Sequence, residues 1–382
     1  MKEAWFLYGS TVVGASDFSS DILWRTSFKA PEPFPLVEID GESFLLASLL
    51  EVERAEKEAK VNKVVSVWDY QARTNEQTPE AAVKLFLKEM GITTVVVPPS
   101  ISYRIGKFLE GDFEVKIKET IVYPERAKKT EWEISEIEKA QRAVESVVVE
   151  AVNFLSDCKI KGTGIFYKKN IVTSEMIRDI IDSRLYHRGY LSTDIIVAGG
   201  IQSADPHCLG LGPLKARSPI VIDVFPYSRE THYFADMTRT FFKGEPSDEL
   251  KKMYETVLEA QNFSIGMIRA DVDGFEIQKW VMGFFESRGY SLDPSKRPIE
   301  GFSHSVGHGV GIDMHESPRI TRGSYILEER NVVTVEPGLY YSSARGHIPV
   351  GGIRIEDLVV VEKNGCRNLT KFPKDIKSVI IP

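Results

Sequence analysis

Four carboxylates stand in contexts that otherwise read as buried strand. Asp223 lies in Ile220-Val221-Ile222-Asp223-Val224, Asp236 in Phe234-Ala235-Asp236-Met237, Glu336 ends Val332-Val333-Thr334-Val335, and Glu356 follows Ile353-Arg354-Ile355. A buried, unpaired acid is costly, so each needs a partner or a cation. Arg239, three positions after Asp236, offers an ordinary ion pair for that acid. Arg354 shares a face with Glu356 if the strand alternates with period two. Asp223 has no such local explanation. The fifth residue is His308, set in Gly307-His308-Gly309-Val310-Gly311, where glycine lets backbone come close to a ligand. A histidine in a glycine-rich turn is commonly a plain loop residue, and its company is what gives it weight. Four acids converging with His308 could not all stay ionised without cations. Two divalent ions would balance them, and the oxygen-rich set favours manganese, with cobalt or catalytic zinc next. Two such ions roughly 3.5–4 Å apart can activate a water and polarise a carbonyl, which makes hydrolysis the expected reaction class.

The elements that must position these residues can be read from pattern. Asp40-Gly41 between two apolar runs marks a hairpin, Leu50 to Lys60 is helical in composition, and Val64–Trp68 reads as a strand. Thr78-Pro79-Glu80 opens a helix that Gly91 closes, and the strand Thr94–Val97 follows. Residues 1–125 are thus expected to form an α/β domain on a mixed sheet, with no catalytic motif. The apolar pattern lapses between Tyr123-Pro124 and Lys128-Lys129, after which Thr130-Glu131-Trp132-Glu133 supplies a capping box. A long helix is expected from there, with Ile134, Ile137, Gln141, Val144, Val148 and Ala151 on one face. Residues 126–382 form the second domain, and a chain of 382 residues exceeds what one core usually supports.

This second part carries signs of an internal duplication. Arg188-Gly189-Tyr190 and Arg288-Gly289-Tyr290 each end a helix, each pair of helices carries Asn153-Phe154 or Asn262-Phe263, and a histidine follows in each half, His207 and His308. Such a pseudo-twofold α+β domain would offer residues of both halves to one cleft. His187 is expected at a helix end, where a cation is favourable, and His232 and His347 are expected at the surface.

Composition excludes several partners. With 48 basic and 55 acidic residues the net charge is −7, which offers no footprint for nucleic acid or an anionic membrane. Three widely spaced cysteines, Cys158, Cys208 and Cys366, argue against a disulfide framework. No signal-peptide or membrane-spanning apolar run is present, so a cytoplasmic location is expected.

The pieces SADPH (203–207), VID (221–223), ADMTRT (235–240), HSVGHGVGIDMHE (304–316), TVEPG (334–338) and GIRIED (352–357) occur in that order. Their order and spacing resemble the pita-bread metallopeptidases: Xaa-Pro aminopeptidases, Xaa-Pro dipeptidases (prolidases), methionine aminopeptidases and the related creatinase. The resemblance covers nearly the whole chain, since an N-terminal domain of this size is similar to that of the Xaa-Pro enzymes and creatinase. It implies a creatinase-like α/β domain before a pita-bread catalytic domain, acting on proline-containing peptides, commonly as a homodimer. Carried over by position, it makes Asp223, Asp236, His308, Glu336 and Glu356 metal ligands, with Asp236 and Glu356 bridging and Glu336 the candidate general base. It gives His207, His304 and His315 roles in binding substrate and moving protons, and Arg354 a supporting role. The chain departs from the pattern at Phe225, where relatives usually have glycine, and in a longer stretch between Asp223 and Asp236 that is expected to reach toward the cleft mouth. Dipeptidase and aminopeptidase activity both remain open. Two other readings stay in view: a creatinase-like C–N hydrolase without metal, and a peptide- or protein-binding module on the same fold, which metal analysis would separate from an enzyme.

Overall fold

The computed structural model describes residues 2–15, 17–118 and 122–382, in two compact units, Met1–Arg126 and Ala127–Pro382. In the first, β1 (Glu3–Gly9), β2 (Phe34–Ile39), β3 (Glu42–Ala47), β4 (Lys63–Ser66), β5 (Thr94–Val97) and β6 (Glu114–Ile117) form one sheet in the order β4-β3-β2-β1-β5-β6. β2 runs against the other five. The β2–β3 turn places Asp40 at φ 53° and Gly41 at φ 84°, the pair of left-handed residues that a two-residue hairpin requires. The helix Pro79–Glu89 starts at Thr78, whose hydroxyl accepts from the Ala81 N–H. The strand expected over Val64–Trp68 stops instead at Ser66, and Val67–Gln71 is a helix. Val67 and Tyr70, three apart, both pack against the sheet, and that spacing belongs to a helix face.

The second unit opens with the helix Glu131–Ser156, capped by reciprocal Thr130 and Glu133 bonds. Ile134, Ile137, Gln141, Val144, Val148 and Ala151 are all buried, and each fully buried Ile or Val contributes about 1.5–3 kcal/mol. Two 14-residue helices, Ser174–His187 and Gly274–Ser287, each end in Arg-Gly-Tyr, with Gly189 at φ 84° and Gly289 at φ 83°. Glycine meets no Cβ penalty in that conformation. Each follows a longer helix, Glu131–Ser156 or Asp248–Met267, so the repeated order seen in the sequence is also an order of elements.

Two sheets hold the chemistry. One has the strand order Ile195–Gly199, Pro219–Val224, Met237–Lys243, Ile380–Ile381; the other runs Glu316–Ile320, Gly307–Gly309, Val332–Val335, Asp357–Glu362, Gly365–Asn368. His187 ends its helix and His347 is exposed. His232 corrects the surface expectation: it is buried, at φ 64°. Among the described residues no helix is long and apolar enough to cross a membrane.

Candidate metal centre

Asp223 sits near the end of Pro219–Val224, opposite Thr238 across the ladder. Asp236 immediately precedes Met237–Lys243, and its N–H donates to Gln141 Oε1 at 3.3 Å. In the second sheet His308 lies in Gly307–Gly309, Glu336 directly follows Val332–Val335, and Glu356 directly precedes Asp357–Glu362. Alternation alone could not deliver this convergence; strand ends do. Backbone bonds fix each end: Glu336 N–H to Val306 O at 2.7 Å, and Glu356 N–H to Thr238 O at 3.0 Å. Gly307 is needed for packing, since a Cβ there would lie 2.0 Å from the Thr334 carbonyl oxygen.

Asp236, His308 and Glu356 each bring one ligand atom within 4.8 Å of the others. His308 Nε2 lies 3.3 Å from Glu336 Oε1 and 3.8 Å from Asp236 Oδ2. His308 Nδ1 is 3.1 Å from the Gly309 carbonyl oxygen. A carbonyl only accepts, so Nδ1 carries a hydrogen and Nε2 is the ring atom turned toward the two carboxylates. A proton or a metal cation has to lie between them. Two further signs agree: Asp223 Oδ1 and Asp236 Oδ1 are buried without a hydrogen-bond partner among the described residues. Burial, then the Glu356, Asp223 and Glu336 charges, push the Asp236 carboxyl well above the carboxylate range. Burial, then Glu336 and Asp223, do the same to Glu356. Burial alone would raise Glu336, but His308, His304 and Arg354 outweigh it and hold it at about 2. A mixed set of one imidazole and several oxygen donors, short of positive charge, fits divalent cations.

Around this cluster a cavity of about 230 Å³ is lined by all nine residues expected at the site, the four others being His207, His304, His315 and Arg354. Arg354 is buried and its guanidinium pairs with Asp223, not with Glu356 as strand alternation suggested. The strand Gly351–Arg354 ends before Glu356, which breaks the alternation. Its other nitrogens donate to Thr238 Oγ1 at 3.0 Å and Tyr340 OH at 3.1 Å. Thr238 Oγ1 in turn donates to Glu356 Oε2 at 2.8 Å. Arg239 is no partner of Asp236. It pairs with Asp357 at 2.7 Å, because residues three apart on a strand face opposite sides.

The three histidines differ. His304 has Nδ1 2.8 Å from the Ser305 carbonyl and Nε2 2.8 Å from Tyr340 OH, so the ring donates to one and accepts from the other. Burial, foremost, lowers its pKa. The ring nitrogens of His207 and His315 make no hydrogen bond among the described residues. The His315 ring stands edge-on to His308 with centroids 4.2 Å apart, and burial followed by the His308 charge lowers its pKa to about 4. Phe225 lines the cavity beside Ile196 and Pro206. The longer stretch beyond it does not: Tyr227-Ser228 pairs with Tyr190-Leu191, and residues 226–231 are absent from the cavity wall. Thr238 and Tyr340 carry no expectation from the sequence, and Gln141 is expected there only as part of the buried helix face. Two of them carried a signal, Thr238 as a hydroxyl two positions from Asp236 and Gln141 as an amide on an apolar helix face.

Residues 135–363 match the model of metallopeptidase family M24. The chain belongs to that family. Among M24 relatives, an Xaa-Pro dipeptidase of Pyrococcus horikoshii is 30% identical over 267 residues, 69% of this chain and 68% of that one. An uncharacterized peptidase of Bacillus subtilis is 37% identical over 187 residues, so that alignment spans about half of either protein, 48% of each. The solved structure of an Xaa-Pro dipeptidase from Bacillus anthracis superposes with a TM-score of 0.80 at 25% identity, covering 98% of this chain and 94% of that one. The mixed α/β architecture is that of the pita-bread metallopeptidases, and this M24 member is a metallopeptidase that works with divalent metal ions.

Proposed function

We propose that this enzyme hydrolyses Xaa-Pro bonds, in dipeptides or at the N-termini of longer peptides, with two divalent cations held by Asp223, Asp236, His308, Glu336 and Glu356. The observation that carries the reading is His308 Nε2 facing two carboxylates at 3.3 and 3.8 Å in a cavity that His207, His304, His315 and Arg354 also line. The substrate class is supported by the names of the relatives at Pyrococcus horikoshii and Bacillus anthracis. Manganese is the first choice of metal, then cobalt or zinc. When bound, such ions acidify a water and polarise the scissile carbonyl.

The residues supply the rest. Glu336 lines the cavity and receives the proton of the attacking water. A prolyl nitrogen has no N–H and leaves poorly until it is protonated. His207 and His315, with ring nitrogens unclaimed by the framework, relay to it the proton that Glu336 has taken from the water, His315 as a neutral carrier given its lowered pKa. His304 is held at both nitrogens and serves as a fixed wall that orients the substrate, while Arg354 pairs with Asp223 and aims it. We also read the protein as a cytoplasmic homodimer, the location supported by three free cysteines and the dimer by the family resemblance of the sequence.

The test is turnover of Ala-Pro and Ala-Pro-Ala by protein reconstituted with Mn²⁺, Co²⁺ or Zn²⁺. Cleavage is expected with Mn²⁺, and the ratio of the two rates assigns dipeptidase or aminopeptidase. No turnover of either with any of the three metals sinks the proposal.

A further inference from the structure

The N-terminal unit has a cavity of its own, about 350 Å³, within the range of small-molecule sites. Its place follows from topology. β1, β3 and β4 run in one direction and end at Gly9, Ala47 and Ser66, and antiparallel β2 begins at that same end, with Phe34 opposite Gly9. The cavity opens there, against Tyr8 of β1, Phe34 of β2, Ala47 of β3 and Trp68 just beyond β4. In open α/β sheets the crevice outside the carboxyl ends of the strands is where ligands bind.

Two properties define what fits. The first is aromatic lining: Phe6, Tyr8, Phe28, Phe34, Trp68 and Phe108 all face the space. Two of these rings already carry a cation, with the Arg54 guanidinium 5.1 Å from the Phe28 centroid and Lys84 Nζ 4.1 Å from that of Phe108. The second is charge. Of the three carboxylates at the edge, Glu51 is taken by Arg54 at 2.6 Å and Glu80 by Arg104 at 3.1 Å. Glu32 has no ion pair among the described residues. The mouth therefore has one uncompensated negative charge beside ring faces that attract cations.

We infer that the N-terminal unit binds a compact hydrophobic amine, its apolar body among the rings and its ammonium at Glu32. A ligand bearing a carboxylate meets the wrong charge at the same edge. The half-exposed Trp68 forms the rim and closes over the apolar body.

Calorimetric titration of the full-length, metal-loaded protein with 2-phenylethylamine, 2-phenylethanol and 3-phenylpropionate tests this. Saturable binding is expected at one amine per chain, weaker for the alcohol and weakest for the carboxylate. Glu32→Gln should weaken the amine about three- to fivefold, the size of an exposed ion pair, and leave the alcohol unchanged. Ala47→Phe should fill the cavity and abolish binding of both; should that variant not fold, Trp68→Ala decides, with a loss of affinity for both. Asp236→Ala, in the other unit, should leave amine binding intact, and its loss there would mean the amine sits among the acids and would overturn the inference. So would the absence of saturable binding, or a carboxylate bound as tightly as the amine. A protein that binds no probe but falls from dimer to monomer on Trp68→Ala assigns this face to a second copy and also overturns it.

Discussion

Asp357 and Glu356 are adjacent in sequence and both are buried, yet their surroundings differ in kind. Asp357 accepts from Arg239 at 2.7 Å, Lys374 at 2.6 Å and Asn368 at 2.8 Å. Burial alone would raise its pKa, but Arg239 and Lys374 outweigh burial and hold it below the usual range. Glu356 meets a Thr238 hydroxyl, and burial, then the Glu336 and Asp223 charges, raise it well above its ordinary value against the more distant pull of Arg354. The chain brings two cations into ion-pair contact with the first acid and, among the described residues, none with the second. A buried ion pair satisfied from within is architecture, and a buried acid left short of charge marks the place where an outside cation is part of the structure.

Removing an acid from the unsatisfied group should have the largest effect. Asp236→Ala is expected to lower activity by about 10³-fold or more, since a catalytic metal supplies several kcal/mol of transition-state stabilisation. Its metal content by elemental analysis should fall with it; an unchanged stoichiometry would contradict the ligand role. Removing a partner from the satisfied group should act on stability instead. Arg239→Met leaves Asp357 with a single cation and is expected to cost about 3–5 kcal/mol in urea unfolding. Metal stoichiometry should be retained, and a loss of stability below about 1 kcal/mol would show that the Arg239 pair is not what holds Asp357.

The smallest effect is a contrast of sign with pH. In chelator-treated protein the Asp236 and Glu356 carboxyls have folded pKa values raised above the unfolded value of about 4. Their contribution is complete below that unfolded value and is lost as pH rises through the folded ones. Asp357 is the reverse: its contribution is present above about 4 and is lost as pH falls through its depressed folded value. Between pH 7 and 5 the chelated protein should therefore gain thermal stability on acidification, while the metal-saturated protein should not. Equal slopes with and without metal would remove the distinction between the two acid groups.

Much of this was legible because it is local. The Asp40-Gly41 turn, the Thr130–Glu133 capping box and the buried face of Glu131–Ser156 each depend on residues within a few positions. The acids and His308 could be picked out because a charge in an apolar run is anomalous wherever the run ends up. What pairs with what was not legible. Arg239 finds Asp357, 118 residues away, and Tyr340 reaches His304 across 36; such partners are chosen by how sheets meet, and spacing does not encode that. His232 reads as an ordinary polar loop residue until the chain around it closes. Phe225 was visible as an oddity and does line the cavity, whereas the residues after it are tied to Tyr190-Leu191.

The acids and the imidazole come from two different sheets, Asp223 and Asp236 from one, His308, Glu336 and Glu356 from the other. A cation held among them is a rivet across a seam. Each half would be stitched internally by its own ladders, and the seam would loosen when the rivet is drawn, so hydrogen exchange along Met237–Lys243 and Val332–Val335 becomes a gauge of metal occupancy that needs no substrate.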